Sequence, residues 1–131
     1  MIRPQFPDPT AEETAGLELL SLARLNILMP NAPDIIAYLG EHAELASAVT
    51  EIAAELRREF TPDAVLSLEL YRDPEIDDSY LTFYVRQDAY SPDLLARIDR
   101  VSEVFATQLA QASGYVLVTT DFRSIRRQSV V

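Results

Sequence analysis

The stretch from Tyr80 to Thr120 limits the possible folds more than any other part of this 131-residue chain. Residues 80–86 alternate between apolar and polar side chains, which predicts a strand with one buried face. Residues 92–112 carry apolar side chains at helical spacing, and residues 115–120 form a second predicted strand. A strand, a helix and a strand in this order predict two parallel strands joined by a helical crossover.

The ends of the predicted helix carry residues that are typical of helix caps. Ser91 is in the N-cap position, and Pro92 is in the first helical position, where its missing N–H costs nothing. Gly114 is predicted to end the helix in the left-handed conformation. The apolar stripe between these ends comprises Leu94, Ile98, Val101, Phe105, Leu109 and Ala112.

A β-hairpin is predicted before this unit. Residues 65–71 alternate in the same way, and the acidic segment from Asp73 to Asp78 joins them to the strand that begins at Tyr80. Three helices are predicted still earlier in the chain. The first begins at a capping box, continues through Leu28 and is stopped by Pro30, and the others cover residues 33–39 and about 43–60.

These elements predict an α+β fold, in which N-terminal helices precede a β-hairpin–α–β unit. The sheet is expected to be small and mixed, with helices mainly on one face. The predicted organisation is an extended arm over residues 1–9, a single domain over residues 10–122, and a basic, mobile tail over residues 123–131.

The run Phe60-Thr-Pro-Asp-Ala-Val-Leu-Ser-Leu-Glu-Leu70, followed by Asp73-Pro-Glu75, resembles small prokaryotic α+β proteins to which no function is attached. The resemblance covers the middle third of the chain and implies the same fold. It implies no activity and no functional residue.

Composition excludes several kinds of chemistry. The chain has 21 acidic and 11 basic residues, for a formal net charge of -10, and every basic residue is an arginine. Without lysine there is no Schiff base, and without cysteine there is no disulfide or thiolate site. Acidity opposes binding to nucleic acid backbones, and the longest apolar run is too short to span a bilayer. We therefore expect a soluble cytoplasmic protein that binds neither nucleic acid nor membrane.

The acidic segment is the best local candidate for a metal site. Asp73, Glu75 and Asp77 fit positions 1, 3 and 5 of a calcium loop, but Asp78 and Tyr84 stand where that loop needs glycine and glutamate. The expected structure is a solvated hairpin turn, with these acids and Asp78 as weak metal candidates at most.

No catalytic constellation stands out in the sequence. His42 is the only histidine, no serine lies in a nucleophile-elbow sequence, and no pair of carboxylates is singled out. We therefore expect no cofactor, and we interpret His42 as a surface residue at a helix start.

The polar face of the hairpin carries residue types that are enriched at binding hot spots. Tyr71, Tyr80, Tyr84 and Arg86 share that face if the alternation holds, which makes them candidate partner-binding residues. The competing interpretation is that tyrosine simply suits a strand. The first helix adds Leu22 and Leu25 as candidates, because its leucines surround the helix and exceed what one core face can cover.

The leading hypothesis is a small acidic, non-enzymatic protein-interaction module that binds itself as a homodimer and binds a second, unidentified protein. One alternative is a small-molecule-binding protein or a carboxylate enzyme with a weak divalent cation site. Another alternative is an acidic mimic of nucleic acid, suggested by the net charge.

Overall fold

A computed structural model describes residues 10–60 and 64–123 of the chain. The predicted arm and all of the predicted tail except Arg123 lie outside the described residues. The described elements are α1 (Ala11–Arg24), β1 (Ile27–Leu28), α2 (Ala32–Glu41), α3 (Leu45–Glu59), β2 (Ala64–Asp73), β3 (Asp78–Gln87), α4 (Leu94–Ala110) and β4 (Val116–Thr119).

The strands form one mixed sheet in the order β1-β2-β3-β4. β2 and β3 are an antiparallel hairpin whose register runs from Ala64 opposite Gln87 to Asp73 opposite Asp78. β1 is parallel to β2, and β4 is parallel to β3. The predicted α+β fold, with its hairpin and its parallel crossover through α4, is therefore confirmed.

β1 is the one described strand that the sequence analysis missed. The first helix does not continue to Pro30, because Asn26 adopts a left-handed conformation with φ of 59° immediately after the helix. Ile27 then pairs with Leu66 in β2. Arg57 of α3 stabilises this turn by donating from Nε to the Leu25 carbonyl (2.9 Å) and from Nη2 to the Asn26 carbonyl (3.1 Å).

α4 is shorter than predicted at both ends. Ser91 is not its N-cap, because its backbone N–H and its hydroxyl both donate to Oε1 of Gln87, at 3.0 and 3.2 Å. The N-cap is Asp93, which makes no capping hydrogen bond through its side chain. Gly114 does not have a positive φ, so the predicted left-handed C-cap is wrong.

All four helices of the described residues contribute to a single hydrophobic core on one face of the sheet. The predicted stripe of α4 is confirmed, since five of its members are buried and Ala112 packs against the core. The strand residues of this core come from one side of the pleat and comprise Ile27, Ala64, Leu66, Leu68, Leu81, Phe83, Val85, Val116 and Val118. No helix in the described ranges is both long and apolar enough to cross a membrane.

Candidate functional site

The second face of the sheet, here called the open face, contributes no residue to the hydrophobic core, although Ser67, Thr82 and Arg86 on this face are buried. It consists of the strand side chains that alternate with the core-facing ones. No helix in the ranges 10–60 and 64–123 packs against this face. Its members include Leu28, Ser67, Glu69, Tyr71, Tyr80, Thr82, Tyr84, Arg86, Tyr115 and Leu117.

Three tyrosines form a continuous aromatic row across one end of the open face. Tyr71 of β2 lies opposite Tyr80 of β3, with ring centroids 5.0 Å apart and ring planes tilted by 34°. Tyr115, which precedes β4, approaches Tyr80 edge-on with centroids 6.4 Å apart. Tyr71 is 40% exposed and Tyr115 is 50% exposed. The tyrosine row, Tyr71–Tyr80–Tyr115, is thus a connected and accessible surface.

Arg86 lies towards the other end of the open face but is not available to a partner. It is only 3% exposed, and it donates to both carboxylate oxygens of Asp121, at 3.0 and 2.7 Å. A third contact reaches Oε2 of Glu69 at 3.5 Å, and the guanidinium lies 4.8 Å from the ring centre of Tyr84. Arg86, a predicted partner-binding residue, is therefore buried in an ion cluster, and its guanidinium lies over the ring of the half-buried Tyr84.

This ion cluster perturbs the acidities of its members. The hydrogen bonds from Arg86 lower the pKa of Asp121, and the Asp121 carboxylate in turn raises the pKa of Arg86. Both groups are therefore charged throughout the physiological pH range, and the cluster acts as a fixed ionic link between β3 and the segment after β4.

The carboxylates of the acidic hairpin loop do not converge on one point. Asp73 accepts a hydrogen bond from the backbone N–H of Glu75 (2.8 Å), and Asp77 has a positive φ of 49° that completes the turn. Among the described residues there is no group of three or more histidine or carboxylate side chains placed to hold a metal ion. The weak candidates Asp73, Glu75, Asp77 and Asp78 are thus distributed along a turn.

His42 contacts a serine that the sequence analysis did not associate with it. Nδ1 of His42 lies 2.8 Å from Oγ of Ser113, and the Ser113 hydroxyl and N–H both donate to Glu44, the latter at 2.7 Å. These hydrogen bonds lower the pKa of Glu44 to about 2. In a nucleophilic triad the carboxylate binds the histidine nitrogen that faces away from the serine. Here the carboxylate of Glu44 binds Ser113 instead. The arrangement is that of a clamp that holds the α4–β4 turn against the α2–α3 turn.

Gly114 occupies the tightest point of this clamp. A Cβ atom at Gly114 would lie 2.7 Å from both Tyr38 Oη and Leu45 Cδ1, and 2.9 Å from Cγ of His42. The hydroxyl of Tyr38 accepts the N–H of Tyr115 at 3.0 Å. The position of Tyr115 in the tyrosine row is therefore set by close packing with α2.

A cleft of about 540 Å³ opens beside the tyrosine row, between the C-terminal end of α2, the hairpin loop and the α4–β4 turn. Its walls combine aromatic and acidic side chains; they comprise Tyr38, Glu41, His42, Asp77, Asp78, Ser79, Tyr80, Ser113, Gly114, Tyr115 and Leu117. A second, apolar groove of about 480 Å³ lies between α4 and β4, with Phe105, Leu109 and Val118 among its lining residues.

Fewer leucines of the first helix are exposed than the sequence suggested, and the exposed ones are not the predicted Leu22 and Leu25. Leu22 has no exposed surface and belongs to the core of its own chain, and Leu25 is half-buried against that core. The predicted partner-binding residue Leu22 is therefore covered by its own chain. The large apolar side chains of α1 that remain exposed are Leu17 and Leu20.

Comparison with known proteins adds no relative to this description. No protein-family model matches the chain, and no curated protein and no solved structure is significantly similar to it.

Proposed function

We propose that this protein is a non-enzymatic protein-binding module that recognises its partner through the tyrosine row on the open face. The observation that carries the proposal is the contact of Tyr71 in β2 and Tyr115 before β4 with Tyr80 in β3, with Tyr71 and Tyr115 well exposed. Tyrosine is enriched among the few residues that dominate binding energy at protein interfaces.

The contacts that hold the rings of the tyrosine row in place favour binding over incidental exposure. Each ring is held by a neighbouring ring, and Tyr115 is additionally positioned by the hydrogen bond from its N–H to Tyr38. Side chains that are already ordered lose little conformational entropy when a partner covers them. A sheet face with fixed aromatic rings is therefore a prepared contact surface.

Charge indicates what kind of partner fits. The chain carries a net charge of -10, and the hairpin loop places Asp73, Glu75, Asp77 and Asp78 beside the tyrosine row. Complementary charge raises the rate of association and disfavours partners of like sign. The partner is therefore proposed to be a protein with a basic surface that also presents apolar side chains to the rings.

The test begins with proteins captured from host lysate by the full chain and continues with direct titration of each purified candidate. A double variant, Tyr71→Ser with Tyr115→Ser, should weaken binding of a true partner at least ~30-fold, since one hot-spot residue contributes about 2 kcal/mol or more. Val104→Ser, which removes an exposed apolar side chain from α4, is the matched control. Equal binding by the double variant and the control would refute the proposal.

A second copy of the chain is a further proposed partner, and the exposed pair Leu17 and Leu20 on α1 favours it. These side chains are one helical turn apart and form an apolar patch that a two-fold interface could cover. Sedimentation should show a dimer at micromolar concentration that Leu20→Glu weakens and the double tyrosine variant does not. A monomer of 14.7 kDa at high concentration and moderate salt would exclude self-association.

A further inference from the structure

We propose that the cleft beside the tyrosine row binds an organic cation, namely the guanidinium or ammonium group of an arginine or lysine side chain on the protein partner. This inference rests on the proposed protein-binding function and names the chemistry by which the partner is recognised. The cleft is distinct from the row itself, although Tyr80 and Tyr115 belong to both.

The aromatic walls of the cleft present ring surfaces in two orientations. Tyr80 and Tyr115 meet at 76° and so form a corner, and on the other side Tyr38 lies against His42 with ring centroids 4.4 Å apart. The face of a tyrosine ring attracts a cation through the quadrupole of its π-system. A cation that enters the corner can approach one ring face while its alkyl stem contacts the other ring.

The carboxylates of the cleft have no cationic partner in the described parts of the chain. Glu41, Asp77 and Asp78 line the cleft, and none of them forms an ion pair with a residue in the ranges 10–60 and 64–123. In contrast, Glu59, Glu69 and Asp121 are each satisfied by an arginine. The negative charge of the cleft is therefore available to a ligand.

The surrounding groups respond to this negative charge. Burial raises the pKa of Tyr38, and the carboxylates of Asp78, Glu41 and Glu44 raise it further. Desolvation likewise raises the pKa of Tyr80, with additional contributions from Tyr71, Asp73 and Asp78. Both phenols consequently remain neutral at physiological pH, and their rings keep the electron density that attracts a cation.

The size of the cleft and the spread of its charges favour an organic cation over a metal ion. No three ligating side chains among the described residues converge as a metal would require, whereas the carboxylates surround a space of about 540 Å³. A volume of a few hundred Å³ suits a long side chain or a small molecule. An arginine or lysine side chain combines the apolar stem and the charged end that such walls accept.

The walls are also fixed in position. Ser113 is hydrogen-bonded to Glu44 and His42. The α4–β4 turn packs so closely against α2 that a Cβ atom at Gly114 would overlap Tyr38. The cleft therefore exists before any ligand arrives, which reduces the entropy lost on binding.

The test is a titration of the full chain with the peptide acetyl-Gly-Arg-Gly-amide, followed by amide chemical shifts in two-dimensional NMR. The control peptide carries citrulline in place of arginine, which retains the shape of the side chain and removes its charge. The arginine peptide should bind with a dissociation constant in the millimolar range and shift the amides of Ser79, Tyr80, Gly114 and Tyr115. Binding of both peptides with equal affinity, or shifts outside the cleft only, would overturn the inference.

Variants separate the cleft from the general acidity of the protein. Asp78→Asn and Tyr80→Leu should each weaken binding of the arginine peptide about 3-fold, the size expected from ~0.5–1 kcal/mol per exposed contact. Glu75→Gln removes the same charge from the same loop but lies outside the cleft lining, so the affinity should change less than 2-fold. Equal effects of Asp78→Asn and Glu75→Gln would show that only net charge matters and would refute the site.

Two further outcomes distinguish this inference from the proposed function. If partner binding depends on Tyr71 and Tyr115 while the arginine peptide leaves the cleft amides unshifted, the inference fails and the protein-binding function stands. If agmatine, a free guanidinium compound, binds the cleft and Asp78→Asn leaves partner binding unchanged, the cation is not a partner side chain and the inference is overturned as stated.

Discussion

Replacing Arg86 tests the most unusual feature of the open face, a buried arginine on the side of the sheet against which none of the described helices packs. Arg86→Met keeps an unbranched side chain and removes the guanidinium, so that Asp121 loses the two hydrogen bonds from Arg86 and Glu69 loses its ion pair. Asp121 retains its contacts with Arg123. Removing one partner of a fully buried ion pair costs about 3–5 kcal/mol. Because the side chains of Glu69 and Asp121 are 27% and 26% exposed, water can solvate them, and we expect about 2–3 kcal/mol.

Urea denaturation of the variant at pH 7 measures this loss. Arg58→Met is the matched control, because Arg58 pairs with Glu55 at a position where its side chain is 73% exposed. Such surface pairs contribute about 0–1 kcal/mol, so the control should resemble the parent protein. If Arg86→Met and Arg58→Met destabilise equally, Arg86 is not held in a buried ion cluster.

The pH dependence provides a second check on the same residue. Arg86 lowers the pKa of Asp121 in the folded state, so their pairing stabilises the fold at pH values above 3.8, the ordinary pKa of an aspartate. That contribution is lost as the pH falls below this value. The stability difference between the parent protein and Arg86→Met should therefore be largest near neutral pH and shrink below pH 4. A difference that is constant from pH 7 to pH 3 would contradict the assignment of the effect to charge.

Three other positions give direct tests of packing and acidity. Phe105→Ala should destabilise the fold by about 3–5 kcal/mol in urea denaturation, because it empties a buried ring position on α4, and an unchanged midpoint would show that this ring is not in the core. Gly114→Ala should lower the free energy of unfolding by about 1–3 kcal/mol in thermal denaturation, because the new methyl group would overlap Tyr38 and Leu45. An unchanged stability would mean that the turn can relax. In an NMR titration the carboxyl group of Glu44 should titrate near pH 2, and Ser113→Ala should move its pKa up towards 4.5. The stability that this hydrogen bond contributes is present above pH 4.5 and is lost as the pH falls to about 2. An unchanged pKa of Glu44 in the variant would exclude the clamp.

The candidate site was only partly predictable. Alternation correctly assigned Tyr71, Tyr80 and Tyr84 to one face of the hairpin, because side chains on a strand point to opposite sides in turn. Alternation could not show that Arg86 on the same face is covered, since its carboxylate partners lie 17 and 35 residues away in the chain. Tyr115 was missing from the predicted surface for the same reason, because its contact with Tyr80 depends on how β4 is placed beside β3.

The sequence by itself determined the elements whose signal is local and repeated. The stripe of α4 and the two alternating strands of the hairpin each extend over many residues, so that periodicity alone identified their type and their buried face. Only the tertiary structure decided the rest. β1 has two residues, too few for any period, and it is a strand because β2 offers it backbone hydrogen bonds. The clamp of His42, Glu44 and Ser113 joins residues about 70 positions apart, and the cleft is formed only when the C-terminal end of α2, the hairpin loop and the α4–β4 turn meet. Periodicity reports which side of one element is apolar, whereas a site depends on which elements become neighbours, and that is settled by packing between distant parts of the chain.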